Sequence, residues 1–312
     1  MKRGTGAHPV AGVALIIGAA TCFASLDTAV RFLGGSIGVA LLLGLRYAIH
    51  TLAMLLWIAA SPEKSFRTAY PRFQVLRGAL LLFSTAMVFT TLQHMPVAEM
   101  TAIVMLTPLL VTLLARVWLH ERVSALRWVL VAGGFAGALI VIRPGSGLFG
   151  WIVLLPLAAA LSNAAFQLLT SKLAPHANPY TTNFYTGLTG MVLVLPLLLA
   201  GWRDIGATLS AAPTLHLVLL LAVGALGTGG HLLLILALGK APTATLMPFL
   251  YTQIGVAALV GWLVLGDAPD AWGWVGMAVI ALCGAASAWL NVREAAAQQR
   301  PVSAVAADTV AD

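Results

Sequence analysis

Two amides, Asn163 and Gln167, stand four residues apart with Ser162 beside them, so a helix would project both from one face. Thr228 and His231, three apart, sit among Gly224, Gly227, Gly229 and Gly230. Tyr251, Thr252 and Gln253 form a third polar group, Phe83, Ser84 and Thr85 a fourth, and Thr101, Met105 and Thr107 a fifth. Such side chains exchange hydrogen bonds with a neutral or zwitterionic solute, or equally with one another between helices. Three charges join them: Asp27 and Arg31, spaced i, i+4 to pair on one face, and Arg46. Asp27 with Arg46 is the candidate charge or proton site. Glu99, Glu121 and Asp267 fall near helix ends, where solvation or capping is their expected use.

Catalytic patterns are incomplete. His120-Glu121-Arg122-Val123-Ser124 begins like a zinc-protease motif but lacks the second histidine. Leu265-Gly266-Asp267 lacks the residues that precede an intramembrane aspartyl-protease aspartate, and there is no G-x-S-x-G elbow or phosphate loop. Cys22 and Cys283 both lie in apolar runs, so no disulfide framework or cysteine metal site is expected. The expectation is no enzyme, no cofactor and no metal.

The elements that carry these residues follow from composition. Of 312 residues only 9% are charged, 60% are hydrophobic, and the mean hydropathy is +0.96. A soluble globule of this size cannot hide that much apolar surface. Hydropathy marks ten spans: 10–33, 38–60, 73–94, 97–118, 125–143, 149–172, 179–200, 213–238, 243–265 and 270–291. Each must be helical, because backbone groups in lipid find no water. The apolar stretch behind Lys2 and Arg3 runs on to Phe32, too long for a cleaved signal core. A tail from 292 to 312 reads as disordered. Basic residues near span ends fall thirteen to three (Arg31, Arg143 and Arg203) in favour of the side that holds both termini, which places the termini in the cytoplasm. The same scatter explains the net charge of +7 without nucleic acid. All nine tryptophans fall near span ends, as an interfacial belt would have them.

The halves repeat. Pro96 is followed at twelve residues by Pro108 and at thirteen more by Glu121; Pro242 is followed at the same intervals by Ile254 and Asp267. Thr85 and His231 stand at equivalent places, eleven residues before each opening proline. Five spans is an odd number, so the second copy enters the membrane inverted, an architecture of carriers with a site near the midplane. The fifth span (Trp128 to Ile142) holds only apolar residues and glycine, the tenth has Ser287 as its clear polar side chain, and Gly133 with Gly137 suits close helix packing. Pro108 and Pro248 are the hinge candidates.

On these repeats, on Thr107-Pro108 with Glu121 and on the run to Gly266-Asp267, the sequence resembles the EamA-type drug/metabolite transporter superfamily over residues 10–291. Within it the chain is similar to YddG-type exporters. It departs from the common pattern at Ile254, Cys22-Phe23 and Asn163-Ala164. The resemblance implies ten transmembrane helices, as a first five-helix repeat (10–143) and an inverted second (149–291). Their central cavity is lined by the first, third, fourth, sixth, eighth and ninth helices. It implies alternating-access export of amino acids, aromatic ones among them, and related small metabolites across a bacterial-type inner membrane. A multidrug exporter of the same superfamily, or a channel, is the alternative. The expected partners are the small solute and membrane lipid; a single copy of the chain suffices.

Overall fold

The structure, a computed structural model, describes residues 9–61, 65–118, 124–143, 149–173, 177–238, 246 and 249–298. Among these the regular elements are helical: α1 (Pro9–Leu33), α2 (Val39–Ala59), α3 (Pro71–Thr91), α4 (Val97–Val104), α5 (Thr107–Trp118), α6 (Ala125–Ile142), α7 (Leu154–Leu173), α8 (Pro179–Ala200), α9 (Trp202–Ala211), α10 (Thr214–Leu238), α11 (Thr252–Leu265) and α12 (Ala271–Gln298), with one 3-10 turn (Gly150–Val153) leading into α7. Seven of the helices are long and apolar enough to cross a bilayer. Three shorter apolar stretches, Val97–Val111, Trp128–Ile142 and Thr252–Leu265, fall within the other expected spans. The perimeter is apolar too: Leu263 and Leu282 are 69% and 70% exposed, and eight tryptophans are exposed near helix ends. The chain is an all-α membrane protein. Glu121, Pro248 and the segment 299–312, each given a role above, lie outside the described residues.

Local chemistry sets the helix ends. Pro71 and Pro179 open α3 and α8, where the missing N–H is one the helix would leave unbonded anyway. The Asn178 side chain accepts from the Tyr180 N–H at 2.9 Å. Gly266 closes α11 at φ +75°, a conformation glycine adopts without strain. Arg143 closes α6 at φ +48° despite its side chain, and its guanidinium is held at 2.7 Å from Asp270.

The fourth span breaks at Met105-Leu106 into α4 and α5, two turn residues ahead of Pro108. Pro108 has no N–H to give the Val104 carbonyl, and the Thr107 hydroxyl donates to that carbonyl instead, at 2.6 Å. The second half breaks at the matching point, Tyr251, although Ile254 stands where the first half has Pro108. There the Thr252 hydroxyl donates to the Phe249 carbonyl at 2.6 Å.

Two expectations of irregular chain are corrected. The segment after 200 forms α9, because Trp202, Ile205 and Leu209 share one face while Asp204 suits the first turn; none of its residues is fully buried. And α12 continues past 291 to Gln298, so helix occupies the start of the expected disordered tail.

Packing pairs come in couples that exchange when the first five spans are swapped for the last five. α1 packs on α10 as α3 does on α7; α2 packs on α10 as α3 does on α8. α1 packs on α11 as α5 and α4 do on α7, while α2 with α8, α4 with α11 and α6 with α12 form pairs of equivalents. Gly137 and Gly276 bring α6 and α12 together. A Cβ on Gly276 would lie 2.7 Å from the Gly137 carbonyl oxygen, closer than real Cβ atoms come.

Candidate functional site

Arg46 organises the buried polar groups of the α1, α2, α3 and α10 junction. It is 6% exposed, and one guanidinium N–H donates to Thr85 Oγ1 at 3.0 Å. The Tyr47 hydroxyl lies 3.2 Å from the same oxygen, and Thr85 in turn donates to the Leu81 carbonyl at 2.8 Å. The guanidinium carbon stands 5.1 Å from the centre of the Tyr47 ring and 5.8 Å from that of Phe89. Asp27 of α1 is buried within reach of the Arg46 charge. Arg31 is not the partner of Asp27, as its spacing suggested. It turns to the helix ends, donating to the Leu92 carbonyl at 2.9 Å and standing 3.7 Å from Asp267.

One turn along α2, His50 is 2% exposed and its ring lies 6.0 Å from that of His231 on α10. His231 Nδ1 is 2.8 Å from the Gly227 carbonyl, and its ring meets Phe23 edge-on at 5.0 Å. Thr228 donates to the Gly224 carbonyl of its own helix at 2.9 Å. Of the sequence candidates, the structure thus brings Asp27, Arg46, Thr85 and His231 together, with Thr228 on the adjoining face of α10.

The remaining candidates separate. Thr101 is buried on α4 with an unpartnered hydroxyl, Gln253 is buried on α11, and Met105, Asn163 and Gln167 are half-buried. Thr107, by contrast, is occupied with the α4–α5 break and reaches the Ala160 carbonyl of α7 only at 3.4 Å. Ser84 and Ser162 stitch α3 to α7 through the Ala159 and Leu80 carbonyls, at 3.0 and 2.8 Å. Phe83 is half-exposed and lines an apolar crevice of about 660 Å³ with Leu76, Leu80 and Leu161, open to the side of the bundle. Tyr251 points into the α11–α12 packing against Gly284, not toward Arg46.

Sequence reading passed over His50, Gln74, Asn183 and Arg77. Arg77 was counted only among the thirteen basic residues near span ends. Its guanidinium is buried and donates to Thr170 (2.6 Å), the Thr182 carbonyl (3.0 Å) and Thr186 (2.6 Å), with its carbon 4.7 Å from the Phe166 ring centre. Gln74, one turn earlier, donates to Thr182 Oγ1 at 3.1 Å. The available signal was spacing: Gln74 to Arg77 and Arg46 to His50 each fall one turn apart on a helix face.

At the C-terminal ends of α1 and α6, two arginines hold the chain between α11 and α12. Arg31 lies on Asp267, and Arg143 on Asp270, whose other carboxylate oxygen accepts from the Gly273 N–H at 2.7 Å. That amide, and then Arg143, keep the Asp270 carboxyl below its ordinary pKa. Among the described residues, no three of His, Cys, Asp and Glu are grouped to hold a metal ion.

Membrane-length helices interlock in two halves, with charged and amide groups buried between them. Residues 10–143 and 150–288 each match the EamA-like transporter family, and the chain belongs to that family. Among curated proteins it is 33% identical to a riboflavin transporter of Rhizobium johnstonii, over 69% of this chain and 70% of that protein. A riboflavin transporter of Vibrio cholerae is 28% identical over 88% and 92%. An S-adenosylmethionine uptake transporter of Rickettsia bellii is 25% identical over 72% and 75%. One solved crystal structure aligns with 91% of this chain and 98% of its own at a TM-score of 0.62 and 19% identity, which shows a shared fold.

Proposed function

We propose that the chain is an alternating-access carrier for riboflavin or a similarly flat, uncharged, ring-bearing metabolite. The observation that carries this is the make-up of the junction between α1, α2, α3 and α10. Asp27 is buried within range of the Arg46 charge, the rings of Tyr47 and Phe89 lie against Arg46, and those of Phe23, His50 and His231 pack on one another beside them. A planar solute with polar edges suits such a lining better than an ion does. The similarity to riboflavin transporters, over 69% and 88% of this chain, supports the same class. In this reading ten spans form two inverted repeats around a central cavity, both termini are cytoplasmic, and the membrane is a bacterial inner one. The exchange of packing partners between the halves supports the inversion.

Amino-acid export is the second reading, favoured by the same Asp27 and Arg46. Opposite fixed charges complement the ammonium and carboxylate of a zwitterion. A cationic-drug exporter would need an acidic surplus that Arg46 removes. Purified protein in lipid vesicles separates these: labelled riboflavin enters saturably and is displaced by unlabelled riboflavin. Displacement by phenylalanine, with riboflavin inert, would replace the first reading with the second. Facilitated diffusion is the simpler energetics; uptake that requires both a pH gradient and an ionisable Asp27 would make it a proton-coupled carrier instead.

A further inference from the structure

Among the described residues, two of the seven buried side-chain atoms without a hydrogen-bond partner lie on neighbouring turns of α2. Arg46 Nε and His50 Nε2 are both buried without a hydrogen bond, and the two residues lie four apart on one face of α2. Leaving a buried donor unmade costs about 1–3 kcal/mol, more when the group is charged. Two such vacancies side by side are hard to account for as packing alone, since the neighbouring Thr85 and Tyr47 are fully engaged.

What covers them is the middle of α10. A Cβ on Gly227 would lie 3.1 Å from Arg46 Nε. One on Gly224 would lie 2.3 Å from Ile49 of α2, and one on Gly230 2.7 Å from Phe23 of α1. The face of α10 turned toward α1 and α2 thus carries glycine at 224, 227 and 230, beside the His231 ring that meets Phe23 and His50. Thr228 and His231 bond carbonyls of α10 itself, so neither ties that helix to α2. A helix seated on glycine contacts, without hydrogen bonds from its central polar residues, can draw away without breaking any of theirs.

We infer that Arg46 and His50 form a subsite that hydrogen-bonds an uncharged carbonyl or imide edge of the transported molecule, and that α10 covers this subsite here and withdraws to load it. The inference rests on the carrier reading above and assigns the part of the solute that is recognised. Arg46 Nε supplies a donor; His50 Nε2 donates or accepts according to its tautomer. The two residues stand one turn apart, about 6 Å along the helix axis, so both side chains can reach one edge of a single solute. A carbonyl edge is the group that the flat, uncharged solute proposed above would offer to these two side chains.

The test has two arms, both on the full chain in vesicles with Cys22 and Cys283 replaced by alanine. In the transport arm, R46Q and H50A raise the KM for riboflavin about tenfold or more, and lumichrome, the tricyclic ring system without the sugar-alcohol chain, competes less well in both. H50Q, which restores a donor at similar reach, recovers most of the loss. Lowered thermal stability and maximal rate with unchanged KM would assign the pair to packing and overturn the inference. In the accessibility arm, H50C reacts with N-ethylmaleimide, riboflavin slows the reaction, and adding G224A, whose methyl group would lie 2.3 Å from Ile49 and so presses α10 off α2, speeds it. An H50C that stays unreactive in all backgrounds overturns the inference even where riboflavin is carried. If riboflavin is not carried yet H50C reacts and G224A speeds it, the covered subsite stands and only the choice of solute fails.

Discussion

Tyr251 and Gly284 make the sharpest mechanical prediction. Placing a Cβ on Gly284 puts it 1.9 Å from both Cζ and Oη of Tyr251, where ordinary contact begins near 3.4 Å. The ring tip must retreat by roughly 1.5 Å, far beyond what a steep repulsive wall tolerates. It has no free direction, because Tyr251 is 6% exposed and packed among Ala98, Ala102, Leu106 and Ile280. Overpacking of this kind costs about 1–3 kcal/mol, so G284A should unfold at distinctly lower denaturant in mixed micelles. The diagnostic is the cycle with Y251A. That substitution alone destabilises by about 3–5 kcal/mol through the lost ring, yet in its background G284A becomes nearly neutral, a coupling of about 1–3 kcal/mol. Equal costs of G284A in both backgrounds would refute the placement. So would a Y251A protein of normal stability with a raised solute KM, since that would put the ring in the transport path.

Other consequences follow from the same contacts. D27N should show a coupling energy with R46Q of about 1 kcal/mol or more and none with R31Q, measured by the same unfolding titration; the reverse pattern would restore the i, i+4 pair. R77A should lose about 3 kcal/mol or more, because it deletes several hydrogen bonds from a buried guanidinium, while R77K recovers part of it; thermal melts of both variants decide this. Asp270 has a carboxyl held below its ordinary value by the Gly273 amide and Arg143. Its contribution to stability is therefore full at neutral pH and fades as pH falls through that lowered value. Melting curves of wild type and D270N should converge in acid and diverge toward neutrality; a constant gap would mean that the ion pair carries no linkage.

The helical membrane fold was legible because a bilayer leaves one solution for long apolar runs, and the spans at α1, α2, α3 and α10 emerged close to their hydropathy bounds. The break between α4 and α5 was foreshadowed by Pro108, but the matching break at Tyr251 was not, since Ile254 carries no local signal. α9 escaped because hydropathy averaging hides a short amphipathic turn beside Asp204 and Arg203. At the site, Asp27, Arg46, Thr85 and His231 could be picked by polarity alone, because an intramembrane charge or imidazole must meet something. Which partner each takes could not, as Arg31 and Phe83 show: the i, i+4 rule fixes a helix face, while neighbouring helices decide what that face meets. Arg77 was misread for a related reason. Its distance from the span end matched a loop charge, and only the approach of α7 and α8 buries it.

Counterflow tests the carrier claim most directly. Vesicles loaded with excess unlabelled riboflavin should take up external labelled riboflavin faster than empty vesicles and transiently above the equilibrium level, with saturation at rising concentration. Uptake that is linear in concentration and indifferent to riboflavin on the far side would contradict a site exposed alternately to the two faces of the membrane.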